Sequence, residues 1–337
     1  MTGAMSIASV VSVSGGKDST ATYLLALERG LPFQAVFADT GHEHPWTYDY
    51  VRRLPEITGG PKIQWVKADF GPQIDRKREY VARHWPTEGI EQTFVDRAVS
   101  LLRPTGVPFL DLCLWKTRFP SAKRRFCTDE LKIVPMFQVV QRPLLEAGHI
   151  FVSWQGVRAE ESLARSTLSR FQRINPVPYS MPATAKALAS EWRAYAYRPL
   201  IAWTTDEVFA FHRRHGVPWN PLYDNGMSRV GCMPCIMCRK EELRTIATRF
   251  PEHIERVAEW ERLVSAVSKR GNSTFFNVDD DPVMAGRWSE DDFDWSLEQT
   301  GIKRRVEWSR TSRGGRQLDL MAFADSRTAC SEWGTCE

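Results

Sequence analysis

Long apolar runs are missing from this 337-residue chain. The longest are strand-sized, well short of the ~20 residues a membrane-spanning helix requires, so no membrane partner is expected. Strong net charge is also missing: +4 at neutral pH is too little to argue by itself for a polyanionic partner. Met1-Thr2-Gly3-Ala4-Met5 lacks the basic n-region of a secretory signal and runs straight into the first strand pattern. There is no internal repeat and no low-complexity tract. The seven cysteines are odd in number and unevenly clustered, which argues against a secreted disulfide framework. In a reducing compartment, close Cys spacing points instead to metal or redox chemistry. Cytoplasmic residence follows from these absences. What is present is 42% apolar content, enough for a sizeable core in one large domain or two.

Residues 1–70 alternate strand and helix. The pattern gives a strand to Val13, a helix over 19–29, a strand over 33–38, a helix near 46–54 and a strand over 63–68. Such βαβ alternation predicts a parallel sheet with right-handed crossovers and helices on both faces. Ligands of such sheets sit at the carboxyl ends of the strands. Further along, the pattern predicts a helix over 129–147, strands over 149–154 and 199–203, and a helix opened by the capping box Thr204-x-x-Glu207. From about Gly271 the sequence turns acidic, then basic and Trp-rich.

Ser14-Gly15-Gly16-Lys17-Asp18-Ser19 joins the first strand to the first helix. Two glycines let backbone approach an anion without a Cβ clash, and the helix dipole adds partial positive charge, so this turn is a phosphate cradle. It is not the Walker pattern G-x-x-x-x-G-K-[ST]. Asp39 and Thr40 lie at the next strand end, and Asp18 and Asp39 suit Mg²⁺ held between phosphates; Asp18 as a simple helix cap is the alternative. His42 and His44 read as polar residues of a substrate cleft, or more simply as surface residues. Arg158 and Arg165 offer planar bidentate donors for phosphate or sulfate, with ion pairs to Glu160 or Glu161 as the alternative. Two basic clusters stand out, Lys116 to Arg125 and Lys303 to Arg316; either suits the phosphates of a nucleotide or nucleic acid, or is a solvated face. Cys232-x-x-Cys235-x-x-Cys238 has the spacing of metal-binding thiolates and needs a fourth ligand from elsewhere.

The six loop residues resemble the S-G-G-x-D-S loop of the PP-loop ATP pyrophosphatases. Over roughly 8–240 the chain also resembles the phosphoadenylylsulfate (PAPS) reductase branch of that superfamily. The carriers are 37–43, Gly156-Val157-Arg158-Ala159-Glu160-Glu161-Ser162 with Arg165, the stretch from Pro199 to Asp224, and Gly231-Cys232-Met233-Pro234-Cys235. Two departures from the reductases matter. The terminal Glu332-Trp333-Gly334-Thr335-Cys336-Glu337 does not match their E-C-G-[IL]-H tail, and Lys17-Asp18 is intact where theirs is degenerate.

The resemblance implies an α/β parallel-sheet PP-loop fold, Rossmann-like and akin to adenine nucleotide alpha hydrolases, over 1–245. An accessory helical and basic region over 246–324 and a Cys-containing tail over 325–337 would follow. It implies a likeness to ATP-using, iron–sulfur members such as the ATPase subunit of DNA phosphorothioation systems: ATP cleaved to AMP and pyrophosphate, then sulfur transferred to a nucleotide, DNA or RNA acceptor, with a sulfur-donor protein as a partner. The implied cofactors are ATP, Mg²⁺ and a 4Fe-4S cluster on Cys127, Cys232, Cys235 and Cys238, with zinc the alternative. Lys17, Asp18 and Cys336 would be catalytic, Cys330 sharing the tail. Ser14, Gly15, Gly16, Lys17, Asp18, Ser19, Asp39, Thr40, Gly156, Arg158 and Arg165 would bind the nucleotide. The rival readings are a PAPS or adenylylsulfate reductase and a nucleotide- or nucleic-acid-binding module with a structural metal site.

Overall fold

A computed structural model of the protein describes residues 6–181, 192–276 and 297–312. Along the chain run β1 (Ile7–Ser12), α1 (Lys17–Glu28), β2 (Phe33–Asp39), α2 (Pro45–Thr58), β3 (Ile63–Lys67), α3 (Gly71–His84), α4 (Gln92–Leu101) and α5 (Pro108–Lys116). A helical run over 129–146, α6, is followed by β4 (Ile150–Trp154), β5 (Phe171–Arg173), β6 (Ala194–Tyr197), α7 (Thr205–Arg214), α8 (Lys240–Arg249), α9 (Pro251–Ala266) and α10 (Ile302–Arg310). They form two compact units. One holds the described residues up to Ala68 with Thr128–Cys232, the other Asp69–Cys127 with the described residues from Met233 onward.

The first unit is built on a six-stranded sheet of order β3-β2-β1-β4-β6-β5. The sheet is mixed rather than wholly parallel: β5 runs antiparallel to β6 and every other pairing is parallel. Successive side chains of a strand point to opposite faces. Val11, Ala35 and Phe37 therefore pack with α1, α2 and α7, while Val10, Val36, Val66 and Phe151 pack with Met136, Phe137 and Val140 of α6. With both faces covered, the central strands carry apolar residues on both faces of the sheet. α6 is π-helical over Asp129–Ile133 and Phe137–Gln141. Each stretch ends two residues before a proline, Pro135 and Pro143, where a wider turn relieves the clash of the ring with the carbonyl four residues back. The strand expected over 199–203 lies instead at Ala194–Tyr197, and 199–202 are turns. α7 carries the expected capping box: Thr204 accepts from the Glu207 amide and Glu207 from the Thr204 amide.

The second unit is helical, with Phe109 stacked on Trp260 at 5.8 Å and Phe119 edge-on to Phe275 at 5.5 Å. Buried Glu261 of α9 accepts the Phe275 amide at 2.7 Å and the Ile302 amide at 2.8 Å, so it tethers 275 to the N-terminus of α10. A Cβ on Gly301 would stand 2.7 Å from its Oε2, which fixes glycine there. Among the described residues no helix is long and apolar enough to cross a membrane.

Burial pushes the Glu261 carboxyl up to about 7 from 4.5. A raised folded-state pKa means its contribution is full below 4.5 and lost as pH rises through 7. Between those limits the stability of the wild type relative to Glu261→Gln should fall by up to about 3 kcal/mol, at ~1.4 kcal/mol per pH unit. Urea unfolding across the range measures it, and a gap that stays constant with pH would contradict the titration.

Candidate functional site

The strand order changes direction at β1, since β2 lies on one side of it and β4 on the other. The crevice at the carboxyl ends of β1 and β4 is the ligand position of an open α/β sheet. The 14–19 loop leaves β1 there, and Gln155–Arg158 leaves β4 there.

Gly15 has φ +83°, and a Cβ on it would lie 2.7 Å from Thr47 Cγ2, so only glycine fits. The Ser19 hydroxyl accepts the Ser14 amide at 3.1 Å and donates to the Gly16 carbonyl at 3.0 Å, closing the turn on itself. Gly16, at the N-cap of α1, supplies no side-chain cap, so the dipole of α1 opens directly onto the loop. Residues after β6 brace the loop. Asn220 Nδ2 donates to the Gly15 carbonyl at 3.2 Å, and His212 Nε2 donates to the Lys17 carbonyl at 2.8 Å. The Lys17 amide donates to the Tyr223 hydroxyl at 2.9 Å. A carbonyl only accepts, so Nε2 of His212 carries the proton; burial lowers the imidazole pKa and keeps the ring neutral.

Asp18 is fully buried between two cations. Its Oδ2 lies 2.8 Å from Lys17 Nζ and its Oδ1 2.6 Å from Arg158 Nε. Arg158 continues to Glu160 Oε2 at 2.5 Å, and Glu160 accepts the Thr205 amide at 2.9 Å. Burial alone would lower the Arg158 pKa, but the Asp18 and glutamate carboxylates outweigh it and raise it. Arg165 pairs with Glu161, whose Oε2 also accepts the Arg158 amide. Both arginines thus have carboxylate partners, as the ion-pair alternative expects. Gly156 lets the chain after β4 lie on the first turn of α1: a Cβ there would be 2.8 Å from the Asp18 carbonyl and the Ser19 amide.

At the end of β2, Asp39 Oδ1 accepts the Gly41 amide at 2.8 Å and the Tyr48 hydroxyl approaches it at 2.9 Å. The same hydroxyl lies 2.8 Å from Glu43 Oε2, and Thr40 donates to Glu43 Oε1 at 2.7 Å. Burial and the two carboxylates push the Tyr48 phenol up. His42 and His44 are buried rather than on the surface, and His44 Nδ1 caps α2 by accepting the Trp46 amide. Sequence reasoning gave no role to His212, Asn220, Glu43, Tyr48 or Tyr223. Asn220 and Tyr223 stood within a recognised pattern, but nothing local tied them to the loop.

The cofactor expectations do not survive. Asp18 is ion-paired to Lys17 and Arg158, and among the described residues neither it nor Asp39 belongs to a group of three or more His, Cys, Asp or Glu ligand atoms that could hold a metal ion. The four-cysteine ligand set expected for a 4Fe-4S cluster or for zinc is not found among the described residues. Cys232 pairs in an isolated bridge with Glu43, its Sγ 3.6 Å from Thr40 Oγ1 and 3.9 Å from Glu43 Oε1. Cys235 accepts the Met237 amide and Cys238 faces the Arg239 carbonyl. Among the described residues, no group of three or more His, Cys, Asp or Glu ligand atoms gathered within 4.8 Å includes a cysteine. Cys330 and Cys336 lie outside the described residues.

Compared with known proteins, residues 8–238 match the phosphoadenosine phosphosulfate reductase domain family. An uncharacterized protein of Escherichia phage 186 is 46% identical over 345 residues, covering 99% of this chain and 98% of that one. Adenosine 5′-phosphosulfate reductase of Allochromatium vinosum is 36% identical over 66% of this chain and 64% of its own length. That of Burkholderia cepacia is 26% identical over 62% of each. The chain thus spans less than two thirds of these two reductases. The matches overturn the expected ATP-cleaving, iron–sulfur sulfurtransferase of the PP-loop ATP pyrophosphatase type: they lie with the reductases, the reading held as the rival.

Removing the Asp18 charge takes a buried carboxylate from both Lys17 and Arg158, and breaking a buried pair in this way costs about 3–5 kcal/mol. Asp18→Asn should lower unfolding stability by that order. Gly156→Ala should cost about 1–3 kcal/mol, because its new methyl meets backbone that cannot rotate away. Chemical unfolding of both variants measures this, and wild-type stability in either would show that the contact is not made.

Proposed function

The chain belongs to the phosphoadenosine phosphosulfate reductase domain family, and we propose that it is a sulfonucleotide reductase acting on adenylylsulfate or its 3′-phospho form. The observation that carries this reading is the extent of the family match: residues 8–238 include both segments of the crevice, 14–19 and 156–165. The coarser reading, a nucleotide-binding reductase-like protein, rests on the same match and on the adenosine 5′-phosphosulfate reductase relatives.

The site's chemistry suits such a substrate. In the proposed binding mode the Ser14–Ser19 turn and the N-terminus of α1 receive the nucleotide phosphate. In that mode Lys17 and Arg158, two buried cations at the loop, are the groups that face the substrate's anions. In the reaction a thiolate attacks the sulfate sulfur. The bond from that sulfur to the phosphate oxygen breaks, and the nucleotide monophosphate leaves with the electron pair. The thiosulfonate so formed is attacked by a second thiol at the protein-bound sulfur, which releases sulfite and leaves a disulfide. A dithiol reductant supplies the two electrons. Charge grows on the leaving phosphate, where Lys17 and the loop amides stabilise it. Cys336, with Cys330 close in sequence, is the proposed thiol.

Anaerobic incubation with adenylylsulfate or its 3′-phospho form and a dithiol should release sulfite and the corresponding adenosine phosphate. Lys17→Ala should reduce turnover by roughly 10²–10³-fold, the usual loss when one transition-state donor is removed. Cys336→Ser should abolish sulfite release while substrate binding persists. Absence of sulfite from both substrates would overturn the assignment, and full activity of Cys336→Ser would reassign the thiol.

A further inference from the structure

The two basic clusters differ once their partners are known. On α10, Lys303 pairs with Glu255 at 2.7 Å and Arg304 with Glu307 at 2.9 Å. These two cations are paired, and the pairs are exposed ones of little energetic weight.

In the other cluster two arginines, Arg118 and Arg124, stand exposed. α5 ends at Thr117, whose φ of +53° is a left-handed conformation a β-branched residue rarely adopts. This turn sends the exposed Arg118 outward, and its guanidinium lies 5.7 Å from the Phe126 ring centroid. Lys116 lies 3.5 Å from the Trp115 ring centroid and 6.0 Å from that of Phe126. The Phe119 amide donates to Ser273 Oγ at 3.3 Å, and Phe119 packs on Phe275, so the 118–125 segment lies beside the turn that carries Arg270. Lys269, next to Arg270, is taken up by Glu88. Among the described residues Arg118, Arg124 and Arg270 have no carboxylate partner, and all three are exposed. Burial and the charges of Arg124 and Arg270 lower the Arg118 pKa, the sign of cations held close together without an anion.

We propose that Arg118, Arg124 and Arg270, with the Phe126 ring, form a binding face for single-stranded nucleic acid, separate from the chemistry of the nucleotide crevice. Three exposed guanidiniums, none with an acid partner among the described residues, match the repeating anions of a phosphodiester chain. Aromatic rings and guanidinium planes give the unpaired bases stacking surfaces, which a duplex would not use. The small overall charge does not oppose this, because binding draws on the local field.

The test is fluorescence anisotropy of the full chain with labelled single-stranded DNA and RNA 20-mers and a matching duplex, titrated in salt from about 50 mM. The triple variant Arg118→Ala/Arg124→Ala/Arg270→Ala should bind the single strands at least tenfold more weakly. Its log-affinity versus log-salt slope should shrink by roughly 2, at ~0.7 per lost phosphate contact on a single strand. Arg304→Ala should bind as the wild type does, and near-ultraviolet circular dichroism should confirm that the triple variant is folded. Wild-type affinity in a folded triple variant would overturn the proposal, as would absence of single-strand binding at the lowest salt. Duplex binding as tight as single-strand binding would overturn the stacking assignment. Sulfite release enters none of these readings, so the reductase proposal and this one fail separately.

Discussion

The buried carboxylate of Asp18 is the constraint on which the crevice depends. It sits in the first turn of α1, directly after the glycine turn, and holds Lys17 from its own segment and Arg158 from the segment after β4. These two strands flank the point where the sheet order reverses. One ionic interaction therefore joins two pieces of chain 140 residues apart. Gly156 makes that approach possible, because any larger residue would collide with the backbone of Asp18 and Ser19. Glu160 carries the connection to the Thr205 amide at the start of α7, and His212 on α7 returns it to the Lys17 carbonyl. The loop is thus held from the β4 side, from α7 and, through Asn220, from the segment beyond it.

Such a network is a poor source of stability compared with an apolar core. Desolvating charges costs several kcal/mol per ion, and paired geometry at best repays it. The stability of this unit comes from the sheet faces packed with α1, α2, α6 and α7. Lys17 and Arg158 are held, almost excluded from water, around one fully buried acid. Charges inside a low-dielectric crevice act more strongly on a bound anion than the same charges on the surface would. The sheet supplies the energy that allows these buried charges to persist in the crevice.

What was legible in the sequence was what is local or periodic. The glycine turn, β1 to β3 with their helices, and the Thr204 capping box all rest on neighbours within a few residues. β5 was missed because Phe171, Gln172 and Arg173 are all exposed and show no alternation. β6 was shifted because Ala194-Tyr195-Ala196-Tyr197 is weakly apolar, although its alternating burial is that of a strand. His42 and His44 looked like loop polar residues, yet the close packing at the end of β2 buries both. His212 closes on Lys17 across 195 residues, and no spacing rule connects them.

The cysteines show why spacing predicts ligand number better than ligand assembly. Cys232-x-x-Cys235-x-x-Cys238 places three thiols within seven residues, but whether they converge depends on where the backbone is pinned. Here the bridge between Cys232 and Glu43 fixes the first of them against the end of β2, beside a carboxylate and a hydroxyl. The other two meet backbone groups within two residues of themselves. A metal centre requires its ligand atoms to share one small volume, with the remaining groups deprotonated and oriented around it. The glycine turn is set first by its own residues, two consecutive glycines and a helix start, and distant residues then brace it.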